Sequence, residues 1–317
     1  MIYRMVLLPL LGKLFLLAIS VLVLVACAQS DKTPTTASEE VIDRPDLALL
    51  VEGSVSPDGL RAILGTGDLG VGTNRIGFVL TYEDGIVSAP TASVTSRFVP
   101  SDGSEAVVYK PPTAVFQLWP YGIQGLYTTN LTFDRAGTWS IDVSVDGQDG
   151  SQLSTNLIFP VEETTHAPSV GALAVRSNSK VLADVKSFKE LTTGSLHDPD
   201  LYQTTIADAV VSGQPTVIVL ASPAYCTNAV CGPQIDVLQE LKNTYIGQAN
   251  FIHVDFYENP QEIAGDLDRA RISQTVREWN LPSNEWTFVI NRQGIVSDRF
   301  EAFATFEEVE TALIKVL

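Results

Sequence analysis

Two cysteines carry the chemistry that this 317-residue chain announces. Cys226 and Cys231 lie in Ala221-Ser222-Pro223-Ala224-Tyr225-Cys226-Thr227-Asn228-Ala229-Val230-Cys231-Gly232-Pro233, directly after the apolar run Pro215–Leu220. Thiol–disulfide exchange needs a thiolate, an accessible sulfur and a second thiol that releases the mixed disulfide. A helix start following a buried strand suits that need, because unpaired N–H groups and the positive dipole end lower a thiol's pKa. Cys226 is the expected nucleophile and Cys231 the expected resolving thiol. No Lys, Arg or His stands between residues 216 and 241, so the helix end must supply the activation. The bland reading of the same residues is a structural disulfide that pins the loop.

The spacing limits the geometry. Positions five apart on a regular helix lie about 140° apart round the axis, so their sulfurs meet only if one is outside the helix. Cys226 therefore belongs to the loop or first irregular turn, and Pro233 starts or kinks the helix.

The elements around the pair alternate strand and helix. Thr204–Val211 reads as a short helix with Thr204 at its cap and Gly213 at its end. Pro215–Leu220 and Phe251–Phe256 read as buried strands. Ile235, Leu238 and Leu241 form a helical stripe, and Gln261–Trp279 reads as one helix with Ile272, Val276 and Trp279 on one face. Trp286–Asn291 and Gly294–Phe300 make a hairpin, and Phe306–Leu317 a closing helix. Residues 45–160 instead alternate β-branched and aromatic residues with turn signals. Trp139, Ile141, Val143 and Val145 interleave with Ser140, Asp142, Ser144 and Asp146, the period of a half-buried strand.

The ends and the charge bound the setting. Residues 1–26 carry Arg4 and Lys13 before the apolar stretch Leu14–Val25, a targeting segment. It ends in Leu24-Val25-Ala26-Cys27, which resembles the bacterial lipobox. That resemblance implies lipidation of Cys27 and a cell-membrane lipoprotein facing outside the cytoplasm; the rival reading is an uncleaved membrane anchor. Residues 27–44 are a flexible tether rich in Thr, Ser, Asp and Glu. Without Arg4 and Lys13 the chain has 18 Lys and Arg against 37 Asp and Glu, a net −19. That argues against nucleic acid and anionic lipid surfaces as partners. About 290 mature residues suggest two domains, with 161–170 as the linker.

The order β, α, β, α, β, β, α, with Tyr225-Cys226 after the first core strand, resembles the thioredoxin-like superfamily over residues 166–317. It is most similar to the membrane-anchored, extracytoplasmic oxidoreductase branch. Glu285-Trp286-Thr287-Phe288-Val289-Ile290-Asn291-Arg292-Gln293-Gly294 carries the family's strand and polar turn. Residues 45–160 loosely resemble bacterial immunoglobulin-like domains through Gly125–Phe133 and Ala136–Trp139. The two resemblances imply an all-β immunoglobulin-like sandwich followed by an α/β thioredoxin fold. They also imply a catalytic pair Cys226 and Cys231, a substrate platform of Tyr225, Glu285 and Trp286, no cofactor or metal, and protein thiols or disulfides as partners.

The sequence departs from that pattern twice. Four residues separate the cysteines instead of two, and Glu285 stands where the family has its cis-proline. A trans peptide before Glu285 and an outward-pointing carboxylate are expected, since a cis bond before a non-proline costs about 3–4 kcal/mol. A second register lays Cys231-Gly232-Pro233 on the family's Cys-Gly-Pro and makes Cys231 the attacking thiol. Two further alternatives remain. A peroxiredoxin-like peroxidase is one, although Pro223 occupies the place of its threonine. A copper chaperone using both cysteines and His253 is the other.

Overall fold

The alternation visible between Gly72 and Val161 builds a single sheet. The computed structural model describes residues 51–317 apart from 83–84, 103–106, 110–111, 121, 123, 148–149, 196 and 226–232. Within them run β1 (Val51–Glu52), β2 (Leu60–Leu64), β3 (Gly72–Tyr82), β4 (Gly85–Ile86) and β5 (Thr91–Phe98). They are followed by β6 (Val107–Val108), β7 (Thr113–Leu118), β8 (Gly125–Phe133), β9 (Gly137–Asp146) and β10 (Gln152–Val161). The order β1-β2-β3-β8-β7-β5-β9-β10 is continuous, with β4 and β6 pairing beside β3 and β5. Every pairing between these strands is antiparallel. Residues from both ends of the order, such as Leu60 and Ala62 of β2 and Leu157 and Phe159 of β10, share one core with Trp139 and Phe133. The sheet therefore curls over itself.

The second sheet is mixed. β11 (Thr216–Ala221) lies centrally, parallel to β12 (Asn250–Asp255) and antiparallel to β13 (Trp286–Ile290), which pairs with β14 (Val296–Glu301). Every residue of β11 is buried, as expected for a strand covered on both faces. Val217 and Val219 face one apolar cluster, Ile218 and Leu220 the other. The helices are α1 (Ile206–Ala209), α2 (Gln234–Thr244), α3 (Pro260–Ile263), α4 (Gln274–Glu278) and α5 (Phe306–Ile314). None among the described residues is long and apolar enough to cross a membrane.

This architecture corrects the expected fold class. The chain is mostly β: one large antiparallel sheet, not a two-sheet immunoglobulin-like sandwich, and a smaller mixed sheet with short helices, not a helix-rich α/β thioredoxin domain. The largest local error is Gln261–Trp279. The apolar spacing suggested one helix, but Ala264 and Gly265 adopt positive φ and end α3. Asp266 and Ser273 then bond backbone N–H groups of Asp268 and Val276 and begin new turns. Side chains of this kind compete with helix continuation.

A buried polar seam joins the two sheets. Asp68, in the loop between β2 and β3, is 4 % exposed. Its carboxylate accepts from the backbone N–H groups of His166 (2.7 Å) and Ala167 (3.0 Å) and from Arg299 of β14 (2.8 Å). Its own N–H donates to the buried Glu301 (2.9 Å), whose second oxygen takes the Ser283 hydroxyl. Burial raises the Glu301 pKa. Arg75 of β3 makes a two-pronged contact with Glu308 of α5 (2.8 and 3.0 Å) and donates to the carbonyls of Glu301 and Phe303. The stretch expected as a linker is thus fastened by Asp68, and Val79 and Leu126 of the first sheet enter the same apolar cluster as α2 and α5.

Removing one partner of a buried ion pair leaves the other charge uncompensated and costs about 3–5 kcal/mol. Asp68→Ala should lose that much unfolding free energy in urea titration. A loss below about 1 kcal/mol would show that the seam does not hold the sheets.

Candidate functional site

Cys226 and Cys231 lie outside the described residues, as does Cys27 with the rest of residues 1–50, where the targeting segment and tether were expected. The residues that bracket the pair are described. Before it, β11 exits the sheet into the turn Ser222–Tyr225, closed by Tyr225 N–H to Ser222 C=O (3.3 Å). After it, α2 begins at Gln234 with Pro233 at its cap. Pro233 offers no side-chain hydrogen bond there, so the first N–H groups of α2 have no cap from that residue.

Beneath the turn runs a buried polar relay that the sequence reading passed over. Asp255 ends β12 and is 4 % exposed. One of its oxygens accepts from the Thr193 N–H (2.6 Å) and hydroxyl (2.9 Å), the other from the Tyr257 N–H (3.0 Å). The Thr193 hydroxyl lies 2.9 Å from Ser222 Oγ and accepts from the Ala224 N–H at 3.3 Å. The carboxyl of Asp255 is therefore linked, through Thr193, to the backbone two residues before Cys226. Burial pushes the Asp255 carboxyl up to about 6, against the downward pull of these hydrogen bonds. Its signal in the sequence was a lone acid closing the apolar run Phe251-Ile252-His253-Val254.

His253 stands two residues earlier on the same face of β12. Its Nε2 lies 3.1 Å from the Ala221 carbonyl and must donate there, since a carbonyl only accepts. Nδ1 is then the acceptor, and the Tyr202 hydroxyl donates to it at 2.6 Å. Burial holds the ring down at about 4 and raises the Tyr202 hydroxyl. Both ring nitrogens are committed, so His253 presents no lone pair for copper. A 220 Å³ cavity lined by Tyr202, His253, Asp255, Tyr257 and Ser273 opens onto this relay. A larger groove of 1180 Å³ lies along the seam between the sheets. Its charged walls are largely paired with each other, as in Arg75–Glu308 and Arg299–Asp68, and no residue of the relay lines it.

The expected platform residues part company. Tyr225 is partly buried, and its hydroxyl accepts from the Gly265 N–H at 2.9 Å, tying the turn to the loop after α3. Trp286 is fully buried, stacked on Phe288 at 5.6 Å and covered by Arg299 at 4.9 Å. Its Nε1 donates to the Ser283 carbonyl at 3.0 Å. Trp286 is a core residue with no face turned to a visitor. Glu285 is 2 % exposed, which corrects the outward-pointing carboxylate. The peptide before it is trans, and its φ of +82° is a region that side chains avoid. Its carbonyl accepts from the Ala302 N–H at 3.0 Å.

Three other residues frame the same stretch. Asn284 precedes Glu285, two positions before Trp286, which pairs with both Leu220 and Glu301. Gln234 opens α2, and its Oε1 accepts from the Ala304 N–H at 2.9 Å. Trp119, at the end of β7, reaches across from the first sheet and meets Phe303 edge-on at 6.2 Å. Trp119 Nε1, Gln234 Nε2 and both polar atoms of Asn284 are buried and have no hydrogen-bond partner among the described residues. Each such atom costs about 1–3 kcal/mol.

The relay makes a pH prediction. Between about pH 4 and 6 the raised pKa of Asp255 means that the folded state holds more proton there than the unfolded state. Its contribution to stability therefore falls as pH rises. His253, with a lowered pKa, holds less proton when folded, so its contribution rises between about pH 4 and 6.5. Asp255→Asn removes the first slope and leaves the second. Relative to wild type, the variant should gain about 3 kcal/mol of stability between pH 4 and 6. Parallel curves in urea titrations at these pH values would contradict the buried, proton-holding role of Asp255. Comparison of the chain with family models, with curated proteins and with solved structures found no match.

Proposed function

We propose that this chain is a lipid-anchored, extracytoplasmic thiol–disulfide oxidoreductase, with Cys226 and Cys231 exchanging between dithiol and disulfide. The Cys226 thiolate attacks a substrate disulfide sulfur. A mixed disulfide forms and one substrate thiolate leaves. Cys231 then attacks Cys226 Sγ, releasing the second substrate thiol and closing the Cys226–Cys231 bond. Two electrons pass to the substrate, and the reverse sequence oxidises a dithiol.

One observation carries this reading. The cysteine-bearing stretch is bracketed by the end of a fully buried central strand and by a helix start that Pro233 leaves without a side-chain cap, with an unusually basic buried carboxyl wired to the entry turn. Uncapped N–H groups favour a thiolate. Anchoring through Cys27 and an extracytoplasmic setting follow from the leader, and a lone thiol pair outside the cytoplasm is oxidised by default. The second reading is a binding lipoprotein whose disulfide is only structural. The lack of any Lys, Arg or His between residues 216 and 241 favours it.

Insulin reduction with a thiol donor separates the two. Wild-type protein should accelerate insulin precipitation, Cys226→Ser should abolish that acceleration, and Cys231→Ser should accumulate a mixed disulfide. A wild type that performs like buffer would favour the structural bond.

A further inference from the structure

The 220 Å³ cavity beside His253 carries more negative charge than its own residues neutralise. Glu190, Asp255 and Glu258 line it, and Lys180 is the one cationic side chain among its lining residues. Lys180 is already engaged, its Nζ lying 2.6 Å from Glu258 Oε1. His253 is kept neutral by burial. Three carboxylates and one ammonium leave two negative charges facing one small space. Asp255 is the telling member. Above about pH 6 it is an anion, yet the groups that bond it, on Thr193 and Tyr257, are neutral donors. A buried charge normally has an opposite charge beside it. Thr275 supplies a second, independent sign. It lines the cavity and is 6 % exposed. Its hydroxyl bonds nothing among the described residues and, unlike the sealed hydroxyls of Thr155 and Thr287, is open to the space. The mouth can be reached from solvent, since Lys180 and Gln274 are exposed there.

We propose that this cavity binds a small diamine, a short run of methylene groups with an ammonium at each end. The inference stands apart from the thiol–disulfide reading and uses none of its cysteines. Size and spacing set the ligand class. The cavity falls below the roughly 300–1,000 Å³ of sites for drug-sized ligands, so its occupant has few atoms. No three acids or histidines among the described residues converge closely enough to hold a metal ion, so two separated cationic groups meet the two charges. One ammonium donates to Asp255 at the buried end, and the other to Glu190, which is only half buried. Such charge-assisted hydrogen bonds are the strong ones. The Thr275 oxygen accepts a further N–H. Leu191 and Tyr202, both buried in the lining, give the methylenes an apolar wall. Lys180 holds Glu258 to itself and so leaves the visitor two acids, not three.

Calorimetric titration of the whole protein with putrescine at neutral pH tests this. Saturable one-to-one binding is expected. Butylamine, which keeps the chain and loses one ammonium, should bind about tenfold more weakly or worse. Asp255→Asn and Glu190→Gln should each weaken putrescine about tenfold, the worth of one charge-assisted contact, and Thr275→Val about threefold. Glu190 is half buried at the cavity's edge, so Glu190→Gln decides alone should Asp255→Asn not fold. Three results would overturn the proposal: no saturable binding, equal affinity for putrescine and butylamine, or an unchanged Kd in Glu190→Gln. Full displacement of putrescine by an equal concentration of magnesium ion would overturn it too, because the unmet charge would then belong to a metal.

Discussion

The hold that Asp68 has on Arg299 and on the backbone of His166 and Ala167 is the constraint on which the arrangement rests. A carboxylate with 4 % exposure survives only with its charge matched and its lone pairs filled. Those partners sit on β14 and on the stretch that leaves β10, so satisfying one acid docks the large sheet against the small one. Arg75 repeats the logic from β3 to α5. With the seam closed, Val79 and Leu126 can share an apolar cluster with Leu238, Val309 and Phe303. Trp119 can then rest on Phe303. The contact of Trp119 with Phe303 thus sits beside the polar grip of Arg75 on the Phe303 carbonyl.

Below that loop the same economy of buried polar groups recurs. Asp255, Thr193 and Ser222 form one chain of hydrogen bonds, and Tyr202, His253 and the Ala221 carbonyl form another. Both terminate at the exit of β11. They brace the strand exit that precedes Cys226. They also oppose one another in their pH response, since burial disfavours the charged form of each group. The frame therefore stays poised across the mildly acidic range where either group alone would tilt it.

Much of the local structure could be read from residue order. β11, β12, α2, the β13–β14 hairpin and α5 all fall near their expected places, because each is a run whose burial follows its own period. Pairing could not be read in this way. Alternation between Trp139 and Val145 announces a strand, but nothing local says that β5 bridges β7 and β9 and makes one continuous sheet. Asp68 was illegible for a similar reason: its partners lie about 100 and 230 positions away. Gln261–Trp279 misled because its apolar spacing is helical while Asp266 and Ser273 supply caps that restart the chain. Trp286 looked like a platform beside Glu285, yet the indole satisfies itself on Ser283 and is sealed by Arg299. Cys226 and Cys231 stood out by type and spacing but lie outside the described residues; Tyr225 could be picked out from its place before them, whereas the polar relay could not, since burial alone gives it meaning.

The central claim is that two sulfurs on a braced loop can join and part while the frame stays still. Equilibrating the purified protein in glutathione buffers of graded potential, with the dithiol fraction counted by thiol alkylation, tests it most directly. The account predicts a reversible two-electron transition with a midpoint above about −300 mV. A bond that stays closed below that potential, or a transition that unfolds the protein, would contradict it.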